Sequence, residues 1–150
     1  MSTQPTALAP FHLAIPVDDI EAARKFYGTV LGFTEGRSDT KWIDWNFGGH
    51  QVVTHQVGDG PSEIPRDGVA GTNPVDGHQV PVPHFGLVLS VEEFQELAAR
   101  LTAANTEFVI EPYVRFQGEP GEQWTMFFLD PAGNALEFKA FADINHLFAV

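Results

Sequence analysis

The chain has 150 residues, 43% of them apolar and 19% charged, with 13 Phe, a composition that builds a buried core and excludes disorder. Eight Lys+Arg against 20 Asp+Glu give a net charge of −12, which argues against nucleic acid and anionic membrane surfaces as partners. There is no cysteine, so disulfides, thiolate nucleophiles and zinc–thiolate sites are excluded, and any metal must take His and carboxylate ligands. Residues 1–10 show neither the basic nor the apolar region of a secretory leader, and no apolar run reaches the ~18 residues of a membrane span. A cytoplasmic protein is expected.

In chain order, the first element is a strand over Phe11–Ile15. A helix follows from Asp18 to Tyr27, with apolar Ile20, Ala23, Phe26, Tyr27 and Val30 at helical spacing. Asp18 with Glu21 reads as its capping box and Gly32 as its stop. Strands are predicted over Phe33–Arg37, Lys41–Phe47 and Gln51–Val57, the last two joined by a Gly48–Gly49 hairpin turn. Gly58–Pro83 then carries five Gly and five Pro without periodicity, and reads as a tether or a lid.

The order repeats after that loop. His84–Leu89 is a strand, Ser90 and Glu93 form a capping box, and a helix runs to about Ala104 with Val91, Phe94, Leu97, Ala98 and Leu101 inward. Strands are predicted over Glu107–Phe116, Gln123–Leu129 and Ala135–Phe141, with a turn at Asp130–Asn134. Both halves read β-α-β-β-β. His12 and His84 each stand six residues before the cap of their helix, so an internal duplication is indicated. The tail, residues 142–150, is expected to pack Ile144, Leu147 and Phe148 onto the body or onto a partner.

Alternation along the strands sorts their side chains. Leu13 and Ile15, and Phe85, Leu87 and Leu89, belong against the helices, which leaves His12 and His84 on the opposite faces beside small Ala14 and Gly86. On the last strand Leu136 and Phe138 belong in the core, so Glu137 faces the same side as the histidines. Two imidazoles and a carboxylate converging there suit a divalent metal: Fe(II), Mn(II), Ni(II) or Zn(II).

Three stretches carry a family likeness: His12–Tyr27 with Leu31-Gly-Phe33, His84-Phe-Gly-Leu-Val-Leu-Ser90, and Phe128-Leu-Asp-Pro-Ala-Gly-Asn-Ala-Leu-Glu-Phe138. In these the chain resembles the vicinal oxygen chelate superfamily, which includes glyoxalase I, extradiol dioxygenases and the fosfomycin- and bleomycin-resistance proteins. The resemblance implies an α+β fold of two βαβββ modules whose mixed sheets curl into a cup with helices outside. It spans a single domain: module one at about 10–57, loop 58–83, module two at about 84–141, tail 142–150. His12, His84 and Glu137 fall on the family's metal-ligand positions, and a homodimer is implied by the same likeness.

The fourth carboxylate ligand of glyoxalase I has no counterpart, because no acidic residue lies between Asp44 and Asp59. Aligning Gly49 with Gly133 puts Val53 opposite Glu137, with Gln51 and His55 on the same face. A register shifted by one residue would put His50, Val52 and Thr54 there instead. Two His and one Glu with open positions match the facial triad of non-haem Fe(II) oxygenases. The activity implied first is an extradiol-type, ring-cleaving dioxygenase of a small aromatic diol, with Fe(II) the favoured metal and His55 the candidate acid/base. The alternatives are a glyoxalase-like lyase or isomerase, a transferase on another chelating substrate, and a non-catalytic antibiotic-binding protein. Retention of all three ligand positions argues against the last. Extradiol enzymes place a Tyr about ten residues before the Glu, where this chain has Trp124-Thr-Met-Phe-Phe128, so Tyr113 is the substitute candidate. Trp42, Trp45, Trp124, Phe116 and Phe127 are candidate linings of an aromatic pocket, Gln51 and Val53 candidate neighbours of the substrate, Arg115 a candidate anion contact and His78 a candidate closing residue.

Overall fold

In the computed structural model, which describes residues 7–60 and 71–150, the chain divides into two compact units, residues 1–60 and 61–150. Met1–Thr6 and Pro61–Ala70 lie outside the described residues, and with them the start of the opening stretch and the middle of the 58–83 loop.

The first unit is a four-stranded sheet of β1 (His12–Val17), β2 (Thr34–Asp39), β3 (Trp42–Phe47) and β4 (His50–Gln56), in the order β1-β4-β3-β2. β1 runs parallel to β4 and the remaining pairs are antiparallel, a mixed sheet that the βαβββ order requires. Gly48 and Gly49, at φ 62° and 90°, make the two-residue β3–β4 turn. The helical connection starts as α1 (Ile20–Ala23) and widens into a π-helix over Arg24–Val30. Its cap is Asp19 rather than Asp18: the Asp19 carboxylate accepts from the Glu21 and Ala22 amides at 3.0 and 3.2 Å. Ile20, Ala23, Tyr27 and Leu31 are buried from this segment. In the wide turn Gly28 lies against the Trp45 ring, 3.3 Å from where a Cβ would stand.

In the second unit the 58–83 stretch is not wholly irregular. It contains a hairpin, β5 (Gly71–Val75) and β6 (His78–Val82), closed by Asp76-Gly77 with both residues at positive φ. That Asp-Gly pair is a strong hairpin signal, which the Gly and Pro around it obscure in the sequence. β7 (Val88–Leu89), α2 (Val91–Ala103), β8 (Phe108–Arg115), β9 (Gln123–Leu129) and β10 (Ala135–Phe141) follow, with sheet order β7-β10-β9-β8. α2 has the expected Ser90–Glu93 capping box and buries Phe94, Leu97 and Leu101. The β9–β10 turn is held by the buried Asp130 carboxylate, which accepts from the amides of Ala132 and Asn134 at 3.0 and 2.8 Å. Gly133 supplies the positive φ that this turn requires.

Both units thus have the βαβββ plan, and the fold is α+β with mixed sheets. β7 is shorter than the expected His84–Leu89 strand: before Val88 only Phe85 bridges to β10, at Leu136. The Glu137 and Lys139 amides still donate to the Phe85 and Leu87 carbonyls, and between them lies Gly86, where a Cβ would come within 1.6 Å of the Glu137 carbonyl oxygen. Gly86 is small because two backbones touch there, not to leave room above the sheet. In the tail Ile144 and Phe148 are 56% and 90% exposed, and Leu147 is half-buried. Among the described residues no helix is long and apolar enough to cross a membrane.

Candidate metal centre

In the second unit the antiparallel register puts Glu137 opposite Phe127, and Lys139 opposite Thr125, which itself faces Tyr113. These residues occupy the sheet face away from Leu136 and Phe138, as alternation predicts. His84 joins them. Its Nε2 lies 2.9 Å from Glu137 Oε2, and its ring meets Phe127 edge-on at 5.0 Å.

The hydrogen bonds around this pair define its chemistry. His84 Nδ1–H donates to the Pro81 carbonyl at 2.7 Å, so a neutral ring carries its lone pair on Nε2, facing the carboxylate. Two lone pairs 2.9 Å apart repel unless a proton or a cation lies between them. Accordingly the hydrogen bond to Glu137 raises the His84 pKa against the opposing effect of burial. Burial pushes the Glu137 pKa upward, but hydrogen bonds from His84 and Thr125 and the charge of Lys139 outweigh it, and the carboxylate ends below its ordinary value. Thr125 Oγ1 donates to the other oxygen, Glu137 Oε1, at 2.7 Å. A carbonyl setting the tautomer of a His and a hydroxyl orienting a Glu are the supports a metal-binding pair needs, so these residues fit a divalent cation.

The first unit holds a parallel arrangement. His12 pairs with Gln51, Ala14 with Val53 and Pro16 with His55, so the unshifted register is the observed one and Gln51, Val53 and His55 share the His12 face. His12 Nδ1–H donates to Gln51 Oε1 at 2.7 Å, again leaving Nε2 as the free lone pair. Val53 is buried. His55 sits two rungs along β4 from His12, roughly 13 Å by strand rise, too far to touch a group held on His12. Among the described residues no group of three or more His, Asp or Glu side chains is gathered closely enough to hold a metal.

Several expected pocket residues are placed elsewhere. Trp45 is 1% exposed on the core face, where its Nε1–H donates to Thr54 Oγ1 at 3.2 Å. Trp124 turns to the helix side, its ring 6.3 Å from Phe94 of α2, because its neighbours in register are Val114 and Ala140. Phe116 leaves β8 at φ 55° and stands half-exposed beneath the Arg115 guanidinium. Phe127 does line the Glu137 face, and Trp42 pairs with His55 on the His12 face.

Tyr113 reaches the Glu137 face through a device that alternation cannot reveal. A bulge between Ile110 and Tyr113 lets residues three apart point the same way, and both pack with Val75, Val80 and Phe127. The β5–β6 hairpin therefore covers part of this face. Its tip is tied down by Asp76, whose carboxylate accepts from Arg115 Nε at 2.5 Å and from Tyr113 Oη at 3.2 Å. Burial and the neighbouring Asp76 charge raise the Tyr113 pKa, so the phenol stays protonated. His78 lies beside the Tyr113 ring at 4.9 Å. Arg115 is thus already neutralised and is not the free anion contact expected of it.

Residues 9–138 match the model of the Glyoxalase/Bleomycin resistance protein/Dioxygenase superfamily. Among solved structures, the chain is similar to a glyoxalase/bleomycin resistance protein/dioxygenase from Alicyclobacillus acidocaldarius, at 29% identity over 98% of this chain and 100% of that one, with TM-score 0.69. A lactoylglutathione lyase from Agrobacterium tumefaciens shares 21% identity over 97% and 98% of the two chains, with TM-score 0.63. A fosfomycin resistance protein from Listeria monocytogenes shares 17% over 95% and 98%, with TM-score 0.64. At these last two identities the likeness is one of fold. Comparison with curated proteins gives no match. With the family model covering most of its length and both modules built to the same plan, the chain belongs to the glyoxalase/bleomycin resistance protein/dioxygenase superfamily.

Proposed function

We propose that this protein is a metal-dependent enzyme acting on a small chelating substrate, with His84, Glu137 and His12 as the ligands of a divalent cation. The observation that carries this reading is the His84–Glu137 pair, two lone-pair-bearing atoms 2.9 Å apart with their outer atoms tied to Pro81 and Thr125. His12, its ring tied to Gln51 in the same manner, is the third ligand and second nitrogen of the proposed set. Buried Val53 stands where a fourth ligand, a carboxylate, would be expected, which keeps further positions open for substrate.

Held by these three residues, Fe(II) would leave coordination open to a chelating diolate and to O₂, the requirement of extradiol ring cleavage. The residues around it have separate tasks. Phe127 presents an aromatic wall beside His84 and orients a flat substrate. Thr125 keeps the free lone pairs of Glu137 in one direction. Tyr113, held as a neutral phenol by burial and Asp76 and donating its hydroxyl hydrogen to that carboxylate, is not a base. The hairpin strands Val75 and Val80 exclude water from the Phe127 side. A second reading, a lyase, isomerase or transferase needing no O₂, is favoured by the ammonium of Lys139 beside Glu137, which suits an anionic substrate.

Anaerobic reconstitution separates them. With Fe(II), a panel of catechols should consume O₂ and yield a yellow ring-opened product. Turnover supported by Ni(II) or Zn(II) without O₂ uptake would establish the second reading instead.

A further inference from the structure

The charges on the Glu137 face do not balance once a metal is held there, and the imbalance names a substrate class. Among the described residues, two cations other than the proposed metal stand on this face of the sheet. Arg115 is ion-paired with Asp76 at 2.5 Å. Lys139, two residues beyond Glu137 and therefore on the same side of β10, has only a 3.8 Å approach to Glu137 Oε1 and a position 5.9 Å from the Phe141 ring centroid. A divalent cation on Glu137 and neutral imidazoles keeps one positive charge. It also draws the Glu137 charge away from Lys139, which then adds a second. A partly buried ammonium, 30% exposed, does not remain uncompensated without cost.

A second observation points to the same place. Gln123 is opposite Phe141 in the register, the next rung along from Thr125 and Lys139, and alternation puts it on their face. It is 8% exposed, and its Oε1 is a buried acceptor with no hydrogen-bond partner among the described residues. Buried acceptors of this kind are uncommon in folded proteins. An ammonium short of negative charge and a carbonyl short of a donor thus flank Phe141.

We propose that Lys139 and Gln123 form a substrate subsite beside the metal, which takes a small oxyanion with an adjacent hydroxyl or N–H donor. Lys139 receives the anionic oxygen and Gln123 Oε1 accepts from the donor, so the substrate is an anionic chelator rather than a neutral diol. The inference rests on the metal-binding reading above and refines it.

The test compares 3,4-dihydroxymandelate, whose carboxylate has a hydroxyl on the adjacent carbon, with unsubstituted catechol, titrated calorimetrically into protein loaded with Zn(II) and assayed for metal content beforehand. The wild-type protein should prefer the carboxylate-bearing ligand by about ten- to hundredfold, the range of a hydrogen bond to a charged group. Lys139→Met, loaded with Zn(II) to the same metal content, should abolish that preference, and Lys139→Arg should restore most of it. Gln123→Met should leave the melting temperature unchanged or higher, since it removes an unsatisfied acceptor, yet weaken the carboxylate ligand. Loaded wild-type protein that shows no preference, or a preference that survives in Lys139→Met, overturns this subsite and leaves the metal reading standing. Wild-type protein that takes up no metal overturns both.

Discussion

The two units follow one plan but solve its tightest point differently. In the first, β1 is a full six-residue strand in unbroken parallel register with β4, and the ring of His12 is steered by a side-chain amide, Gln51. In the second, the corresponding strand shrinks to Val88–Leu89, Gly86 presses on the Glu137 carbonyl, and the ring of His84 is steered by a backbone carbonyl, Pro81. The cores differ too. The first contains the polar Trp45–Thr54 bond, whereas in the second Phe128 stacks on Phe138 at 5.8 Å. What the two units share is an imidazole with Nδ1–H engaged and the Nε2 lone pair left; the acceptor behind it differs.

The largest expected effect lies at the contact found only in the second unit. Gly86→Ala forces a methyl into the Glu137 backbone and should cost about 3 kcal/mol or more. In chemical denaturation it should lower the midpoint far more than Ala14→Gly at the matching place in the first unit; equal midpoints would refute the close approach. Thr54→Val comes next. It leaves a buried indole N–H without an acceptor and should cost about 1–3 kcal/mol. The indole fluorescence of Trp45 should shift with it, and an unchanged melt would show that the bond contributes nothing.

The smallest effect concerns the hairpin. Hydrogen bonding from Arg115 lowers the pKa of Asp76, so its contribution to stability is complete above the unfolded value of about 3.9 and is lost as pH falls through the lower folded value. Because the carboxylate is more than a third exposed, Asp76→Asn should cost under about 1 kcal/mol at pH 7. The difference between variant and wild type should vanish at strongly acidic pH, and a gap that stayed constant down to pH 2 would contradict the linkage.

Much of this was legible in the residues because local pattern and tertiary pairing agree. β9 and β10 have the expected bounds, since Gln123–Leu129 and Ala135–Phe141 alternate without interruption and Asp130 with Gly133 closes the turn between them. That register alone puts Glu137 opposite Phe127. Illegible were the features that break a period. The π-helix at Arg24–Val30 keeps a helical sequence but a different hydrogen-bond step. The bulge before Tyr113 reverses the side that alternation assigns. Hairpin β5–β6 hides among Gly and Pro residues that read as loop. Trp124 is a simpler case: its aromatic character suggests the pocket, although its even position on β9, on one face with Met126 and Phe128, assigns it to the helix side.

The account stands or falls on cation binding by residues 84 and 137. Metal analysis of anaerobically purified protein, alongside His84→Ala and Glu137→Gln variants confirmed to be folded by circular dichroism, measures it directly. The account predicts about one tightly held divalent metal per chain in the wild type and its loss from both variants. A wild type that stays metal-free after incubation with Fe(II), Ni(II) or Zn(II), or variants that keep their metal, would contradict it.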